Sequence, residues 1–239
     1  LEIDHSVIPD YLRKGYVSGN QCIFKGVKKV KPGSAIIFDK SMNCSSEVYW
    51  NTSTETFGTY KGNYEQAKEE VKNALIKSVD YRLVSDVPVG VFLSGGIDSS
   101  LVTAIAASEL NINLKTFTIA FDNPKYNEAL LARKIASTFK TEHYEFKCNE
   151  STLLDLFDEL AFVYDEPFGD ASALPTLFLS SKTREYVKVS LGGDGGDEVF
   201  GGYVKYKFAK AFNTNPLFYK TFGRMMRNLG VENSSKISE

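Results

Sequence analysis

The sequence predicts an α/β fold, a doubly wound parallel sheet from about residue 63 onward, preceded by a short β-rich remnant of a second domain. From residue 87, short runs of Val, Ile and Phe alternate with amphipathic segments, a pattern typical of βαβ units around a parallel sheet. Residues 1–60 instead show alternating stretches separated by turn residues, as in antiparallel strands. A chain of 239 residues with 43% hydrophobic residues can form one full domain and a smaller companion.

The β-rich part contains two predicted strands, over residues 35–38 and 48–50, with a turn at Pro32-Gly33 between the first strand and what precedes it. Residues 52–62 are rich in Thr and Gly and are predicted to be a linker. The predicted domains are therefore residues 1–60, the end of a β-rich domain with its linker, and residues 61–239, the α/β domain.

The α/β part begins with a predicted helix, since Asn63 and Gln66 make a capping-box-like start and apolar residues recur at helical spacing up to Leu83. Strands and helices then alternate. Further strands are predicted over residues 87–93, 115–121, 143–146 and 187–191, and further helices over residues 98–110, 127–139, 150–163 and 173–186.

Composition excludes several classes of protein. With 28 Lys+Arg against 30 Asp+Glu, there is no basic field that would attract nucleic acid or anionic lipid. The sequence contains no run of about 18 apolar residues, which a membrane-spanning helix would need. Three widely spaced cysteines and two histidines show no metal-ligand pattern, which is typical of ordinary thiols in a reducing compartment. We therefore expect a cytoplasmic protein without a nucleic-acid or membrane partner.

A glycine-rich turn over residues 94–100 (SGGIDSS) follows a predicted strand, where ligands bind in open parallel sheets. Its glycines allow close approach of a ligand, and Ser94, Ser99 and the first helical amides supply donors, as in a pyrophosphate cradle. No Lys follows Gly96, which excludes the Walker pattern, and Gly-x-Gly-x-x-Gly does not occur here. From glycine content alone, a plain turn capped by Asp98 or Ser99 fits equally well.

A second turn over residues 192–198 (GGDGGDE) places Asp194, Asp197 and Glu198 among four glycines after another predicted strand. Carboxylate oxygens there are suited to Mg²⁺, which binds through one or two carboxylates plus phosphates. A solvated acidic turn is the alternative, although Gly201-Gly202-Tyr203 continues the glycine pattern.

Several segments have a shared order and spacing that is informative: residues 11–17, 23–27, 31–33, 49–50, 89–100, 116–121, 126–128, 165–172 and 192–203. Those from residue 89 onward resemble the synthetase domain of glutamine-hydrolysing asparagine synthetases, whose ATP pyrophosphatase-type fold is adenine nucleotide alpha hydrolase-like. Residues 1–50 resemble the end of the same family's glutaminase domain. The family's glutaminase nucleophile is an amino-terminal cysteine that this chain does not include, so neither Cys22 nor Cys44 is expected to have that role. We also expect the synthetase domain to be truncated at its C-terminal end.

The resemblance implies binding sites for ATP and Mg²⁺. Leu93 and Ile119 would flank the adenine, and Asp98 and Asp197 would bind Mg²⁺. Asp194 would be the catalytic residue that accepts a proton as nitrogen adds, at a position that is usually Glu. The nucleotide-binding residues implied are Leu93, Ser94, Gly95, Gly96, Asp98, Ser99, Ile119, Gly192 and Gly193.

The implied reaction is amidation of a carboxylate through an acyl-adenylate, with aspartate converted to asparagine, ammonia taken from glutamine, and AMP and pyrophosphate released. The implied partners are these small molecules and the glutaminase domain of the intact chain. The oligomeric state is left open, with a homodimer as one alternative. Two alternatives remain: the same chemistry on another carboxylate, such as a sugar or peptide precursor, which Asp194 keeps open, and a non-catalytic nucleotide-binding module.

Overall fold

The computed structural model describes residues 1–51 and 60–206. The chain forms two compact units, residues 1–192 and residues 193–239, and the description of the second ends at Tyr206. Most of the predicted linker lies outside the described residues, and the domain boundary near residue 60 stays a prediction.

The first 51 residues contain an antiparallel pair of strands, as predicted, and also a helix that the sequence patterns did not predict. The first strand was predicted over residues 35–38, but the second was predicted over residues 48–50 and instead spans Cys44–Val48. Helix α1 (Ile8–Lys14) has Pro9 in its first turn and ends at Gly15, whose φ of 82° is left-handed. Proline at the start and glycine at the end are the boundaries that a short helix needs. Strands β1 (Ser34–Phe38) and β2 (Cys44–Val48) pair with Ser34 opposite Val48.

The α/β part follows the predicted alternation, and its first helix carries the predicted capping box at Asn63 and Gln66. Its elements are α2 (Tyr64–Leu83), β3 (Val89–Phe92), α3 (Ile97–Ala104) continued by a π-helical turn (Ile105–Glu109), β4 (Lys115–Phe121), α4 (Ala129–Phe139), β5 (Glu142–Cys148), α5 (Glu150–Asp155), a 3-10 turn (Phe157–Glu159), α6 (Leu160–Val163), α7 (Ala173–Thr183) and β6 (Val189–Leu191).

The helix predicted over residues 150–163 is wrong as a single element, because the structure divides it into α5, the 3-10 turn and α6. Its apolar residues are largely in solvent: Leu154, Phe157 and Phe162 are 68%, 61% and 90% exposed. Since most helical stability in proteins comes from packing of an apolar face, a segment without such packing has little to keep it continuous.

The four strands β3 to β6 form one parallel sheet in the order β5-β4-β3-β6. On one face, Val91 packs with Val79 of α2, and Leu93 just beyond β3 packs with Ala132 of α4. On the other face, Phe117 stacks on Tyr144 at 5.4 Å, and α7 packs against β4. Helices on both faces of a parallel sheet confirm the predicted doubly wound α/β class.

None of the helices in the described part of the chain combines the length and the apolar character that crossing a bilayer requires.

Candidate active site

The first glycine-rich turn leaves the sheet at a topological switch point. The chain winds from β3 to β4 to β5 in one direction and returns to the other side of β3 with β6. Val91 of β3 lies opposite Leu191 of β6, so the turn after β3 and Gly192 after β6 leave the same edge of the sheet. Ligands of open parallel sheets bind at such points.

Hydrogen bonds inside the turn fix its shape. The Ser94 amide donates to Ser99 Oγ at 3.1 Å, the two serine hydroxyls lie 2.8 Å apart, and the Gly96 amide donates to Ser94 Oγ at 3.1 Å. Ser99 is 6% exposed, so its hydroxyl braces the turn from beneath. The turn is therefore an ordered structure held by its own two serines.

The turn also packs closely against the start of α4. A Cβ atom at Gly95 would lie 2.9 Å from Leu131 Cβ, a distance that real side chains do not tolerate. The Gly95 amide donates to Glu128 Oε2 at 3.0 Å, and Glu128 is the residue immediately before α4. Glycine at position 95 is thus required by packing, and the same packing brings a carboxylate to the turn.

Helix α3 begins directly after the turn without a side-chain cap. Its N-cap residue is Gly96, so the first amides of the helix have neither an intrahelical partner nor a capping oxygen. This differs from the plain capped turn that the glycine content also allowed. An uncapped helix start presents free amides and the positive end of the helix dipole, which suits an anion.

Asp98 lies in the first turn of α3 and is half-buried. Its carboxylate takes part in no side-chain hydrogen bond or ion pair with residues 1–51 or 60–206. A carboxylate at this position, without a protein partner among the described residues, remains available to a ligand.

The two residues predicted to flank adenine have different environments. Leu93 is 2% exposed and its side chain packs with Ala132 and Ala136 beneath α4, so it belongs to the core. Ile119 is half-buried near the end of β4 and lies opposite Phe146. Any contact of Leu93 with a ligand would therefore have to come from its backbone.

The second turn belongs largely to the second unit. Gly195 has a left-handed φ of 89° and precedes the short helix α8 (Gly196–Phe200). Asp197 is half-buried, and its carboxylate lies where a Cβ of residue 202 would be, so Gly202 makes room for it. Asp194 is exposed. Thus Asp197 is a positioned carboxylate and Asp194 is open to solvent.

Glu198 has a local partner in the same unit. Its carboxylate accepts a hydrogen bond from Tyr203 Oη at 2.7 Å. This hydrogen bond lowers the pKa of Glu198 and raises the pKa of Tyr203 to about 12. Of the three acidic residues in the turn, Glu198 is the one that accepts a hydrogen bond from a side chain of residues 1–51 or 60–206.

The described residues fit Mg²⁺ only in the mode in which phosphates supply part of the coordination. Residues 1–51 and 60–206 contain no cluster of three or more His, Cys, Asp or Glu side chains suited to a metal ion. Mg²⁺ commonly binds through one or two carboxylates together with substrate phosphates and water. Asp98 and Asp197 are each compatible with that mode.

Two acidic residues in the loop over residues 165–172, one of the segments that carry the family resemblance, make different contacts. Asp170 Oδ1 accepts hydrogen bonds from the amide and hydroxyl of Ser172, both at 2.7 Å, and they lower the pKa of Asp170. Glu166 instead contacts the first 51 residues. Its carboxylate accepts a hydrogen bond from the Ile23 amide at 3.1 Å and forms an ion pair with Lys29.

Two carboxylates with defined contacts, Glu128 and Glu166, were singled out from the sequence only as members of the segments 126–128 and 165–172 that resemble the family. Glu128 directly follows Asn127 and precedes a helix in the loop after β4, and neighbouring parallel strands bring such loops together. That topology was a usable signal for Glu128. No local pattern links Glu166 to Ile23, which is 143 residues away in the chain.

Comparisons with known proteins agree on a family. The family model described as asparagine synthase matches residues 70–235. A Methanocaldococcus jannaschii protein, provisionally named glutamine-hydrolyzing asparagine synthetase 2, is 37% identical over 208 residues, covering 85% of this chain and 39% of its own length. Glutamine-hydrolyzing asparagine synthetase 1 of Bacillus subtilis is 30% identical over 229 residues, covering 96% of this chain and 34% of its own length.

Among solved structures, the NMN synthetase of Francisella tularensis is 17% identical, covers 60% of this chain and 59% of its own, and superposes with a TM-score of 0.40. The chain spans between a third and two fifths of the length of the two curated relatives named above. Because the family model matches more than half of the 239 residues, on a parallel α/β fold with the glycine turn at its switch point, the chain belongs to the asparagine synthase family.

Proposed function

We propose that this chain carries the ATP-cleaving site of an enzyme that amidates a carboxylate, with aspartate as the substrate and asparagine as the product. The observation that carries the proposal is the turn between β3 and α3: a braced glycine backbone followed by an uncapped helix start at a switch point. Such a backbone suits the phosphates of a nucleotide. Family membership supports the same chemistry.

The proposed nucleotide contacts follow the geometry of the two strand ends. The amides after Gly96 and the backbone of Gly95 would hold phosphate oxygens, while Ser94 and Ser99 keep the turn in shape. Ile119 and the backbone of Leu93 are the proposed neighbours of the adenine. Gly192 and Gly193, which carry no side chain, would lie against the nucleotide.

Asp98 and Asp197 are the proposed ligands of Mg²⁺. The ion, when bound, would offset negative charge on the phosphates as pyrophosphate departs. Asp98 has no protein partner among the described residues, and Asp197 is held beside Gly202, so both carboxylates fit this role.

The proposed reaction has two steps. A carboxylate oxygen of aspartate attacks the α phosphorus of ATP, the bond from that phosphorus to the bridging oxygen breaks, and pyrophosphate leaves. Ammonia then attacks the acyl carbon of the adenylate, a proton passes from nitrogen to a base, and AMP leaves. Asp194 is the proposed base, since it is exposed and has no side-chain partner within the described residues.

The proposed partners are ATP, aspartate and glutamine or ammonia, with the glutaminase domain of the intact chain as the source of ammonia and a homodimer as a possible assembly state. The proposed compartment is the cytoplasm. It suits the free thiols of Cys22, Cys44 and Cys148, of which Cys44 is exposed.

The test is a product assay with Mg-ATP, ammonium and aspartate, in which AMP and pyrophosphate are measured by chromatography. Asp98→Asn should abolish aspartate-dependent AMP formation. The matched control is Asp158→Asn, since Asp158 is exposed and outside both glycine turns. ATP binding without AMP formation would favour another carboxylate as substrate, and AMP formation with a sugar or peptide carboxylate would establish it. A protein that does not bind ATP would refute the proposal.

A further inference from the structure

Glu128 accepts a hydrogen bond from one backbone amide of the turn that we propose to bind phosphate. Its Oε2 accepts the Gly95 amide at 3.0 Å. The contact is enforced by packing, because the backbone at Gly95 lies so close to Leu131 in the first turn of α4 that no Cβ fits between them. Glu128, as the residue before α4, is therefore kept beside the turn.

The first three backbone amides of the turn donate to different kinds of acceptor. Those of Ser94 and Gly96 donate to serine hydroxyls within the turn, which are neutral. The Gly95 amide donates to a carboxylate from another loop. An ionised carboxylate only accepts hydrogen bonds, as does a phosphate oxygen, so the two compete for the same N–H.

Among the described residues, the hydrogen bond from the Gly95 amide is the one contact that holds the Glu128 carboxylate. Within residues 1–51 and 60–206 it has no cationic partner, and the residue is exposed. Glu145 shows the contrast, since Arg133 holds it through two hydrogen bonds of 2.6 Å each. A carboxylate with one weakly buried contact can leave its donor and turn into solvent.

We propose that Glu128 is a displaceable anionic cap on the phosphate-binding turn. It satisfies the Gly95 amide when no nucleotide is bound, and it must give up that donor when a phosphate oxygen arrives. Binding of polyphosphate therefore requires displacement of a like charge, which lowers the affinity of the turn for it. This inference rests on the proposed function, namely that the turn binds the phosphates of ATP.

A like charge at the turn also predicts selectivity between forms of polyphosphate. Repulsion is greatest for metal-free pyrophosphate or ATP and smaller when Mg²⁺ has neutralised part of the ligand charge. Glu128 would thus favour the magnesium complex over the free anion. A purely structural contact would not distinguish the two.

The test is calorimetric titration of wild type, Glu128→Gln and Glu150→Gln with pyrophosphate and with ATP, each with and without Mg²⁺. Glu150 is a matched control, because it is an exposed glutamate at the start of a helix. Glu128→Gln should tighten binding of metal-free pyrophosphate by about fivefold, the effect of one like charge at contact distance in water. The gain should be smaller with Mg²⁺ and should shrink at high salt, and Glu150→Gln should match wild type.

Circular dichroism and thermal melting check that each variant is folded. If wild type binds ATP but Glu128→Gln binds metal-free pyrophosphate no more tightly, or more weakly while folded, the inference is wrong and the proposed function stands. If wild type binds neither ATP nor pyrophosphate, the assignment of the turn fails, and both proposals fail with it.

Discussion

The carbonyl oxygen of Gly15 accepts a hydrogen bond from the amide of Gly169 at 2.6 Å. The two backbones meet without side chains between them: a Cβ at Gly15 would lie 3.0 Å from the Gly169 oxygen, and one at Gly169 would lie 3.1 Å from Gly15 Cα. Gly15 ends α1, and Gly169 lies in the loop that also carries Glu166. This contact joins the β-rich segment to the α/β domain.

Gly15→Ala should lower the free energy of unfolding more than Gly19→Ala does. Both glycines have left-handed φ values, 82° and 68°, but a Cβ at Gly19 would meet nothing within 4 Å. Left-handed strain costs about 1–2 kcal/mol for alanine at either site, and the collision with Gly169 adds to it only at Gly15. Urea unfolding of the two variants measures the difference. Equal losses would mean that the contact with Gly169 relaxes freely.

Glu166→Ala should destabilise the protein by about 1–3 kcal/mol, because it leaves the Ile23 amide without its acceptor in a partly buried place. It also removes the partner of Lys29, whose ammonium donates in addition to the Val17 carbonyl at 2.7 Å. The measurement is the urea unfolding midpoint.

The control for Glu166 is Glu2→Ala, which breaks an ion pair with Lys25 in which Glu2 is 74% exposed. An exposed pair of this kind contributes at most about 1 kcal/mol. If Glu2→Ala were as damaging as Glu166→Ala, the tie between Glu166 and the first 51 residues would carry no special stability.

Local sequence signals were sufficient where short-range chemistry decides the structure. The capping box of Asn63 and Gln66 placed the start of α2, and the Lys115–Phe121 run has the bounds of β4. The first glycine turn was also placed correctly at a strand end, because glycine and serine there serve the local backbone. Its internal bonds between Ser94 and Ser99 span only five residues.

Long-range contacts could not be predicted from local sequence patterns, for a physical reason. Glu128 reaches Gly95 across 33 residues and Glu166 reaches Ile23 across 143, and neither carboxylate belongs to a periodic pattern. Helix α1 escaped although Pro9 and Gly15 marked its ends, because neighbouring turn residues favoured strands. The burial of Leu93 under α4 also depends on the packed fold, whereas the family resemblance implied a ligand contact for this residue.

Gly90→Ala should destabilise the sheet by about 1–3 kcal/mol, since overpacking of a full core forces side chains out of their rotamers. The added Cβ would lie 2.5 Å from Phe117 Cε2, and Phe117 is completely buried. Phe117→Leu alone should also destabilise, because it removes the stack on Tyr144.

The double variant Gly90→Ala/Phe117→Leu separates collision from other effects of alanine. The smaller side chain makes room for the new methyl, so the double variant should lose less stability than the sum of the two single variants. A simple sum in urea unfolding would show that the loss of stability at Gly90 does not come from collision with the Phe117 ring.

Stability should fall as the pH drops below about 6.5 because of His143. Burial is the main cause that lowers the pKa of His143, with Arg133 lowering it further and Glu145 opposing them. Thr116 Oγ1 lies 2.9 Å from its Nδ1. The unfolded chain therefore binds the proton more readily than the folded protein, so acidification through the unfolded pKa favours unfolding, while stability well above it is unaffected.

Urea unfolding of wild type, His143→Gln and His5→Gln between about pH 7.5 and about pH 5.5 tests this dependence. His5 is exposed and serves as the control. Wild type and His5→Gln should lose stability with acid more steeply than His143→Gln. The same slope in all three proteins would assign the effect to carboxylates, and His143 would then play no part in it.

Ser99→Ala should weaken nucleotide binding, whereas Ser100→Ala should not. Ser99 Oγ is buried and accepts the Ser94 amide while lying 2.8 Å from Ser94 Oγ, so its loss leaves the turn without its brace. Ser100 Oγ instead donates to the Gly96 carbonyl at 2.6 Å, on the backbone of its own helix start. With one hydrogen-bond acceptor lost beneath the turn, ATP affinity should fall about tenfold, or about 1.4 kcal/mol. Calorimetric titration with Mg-ATP measures both variants. Equal affinities would show that the backbone of the turn keeps its shape without the serine pair, and that the glycines and the start of α3 alone determine the site.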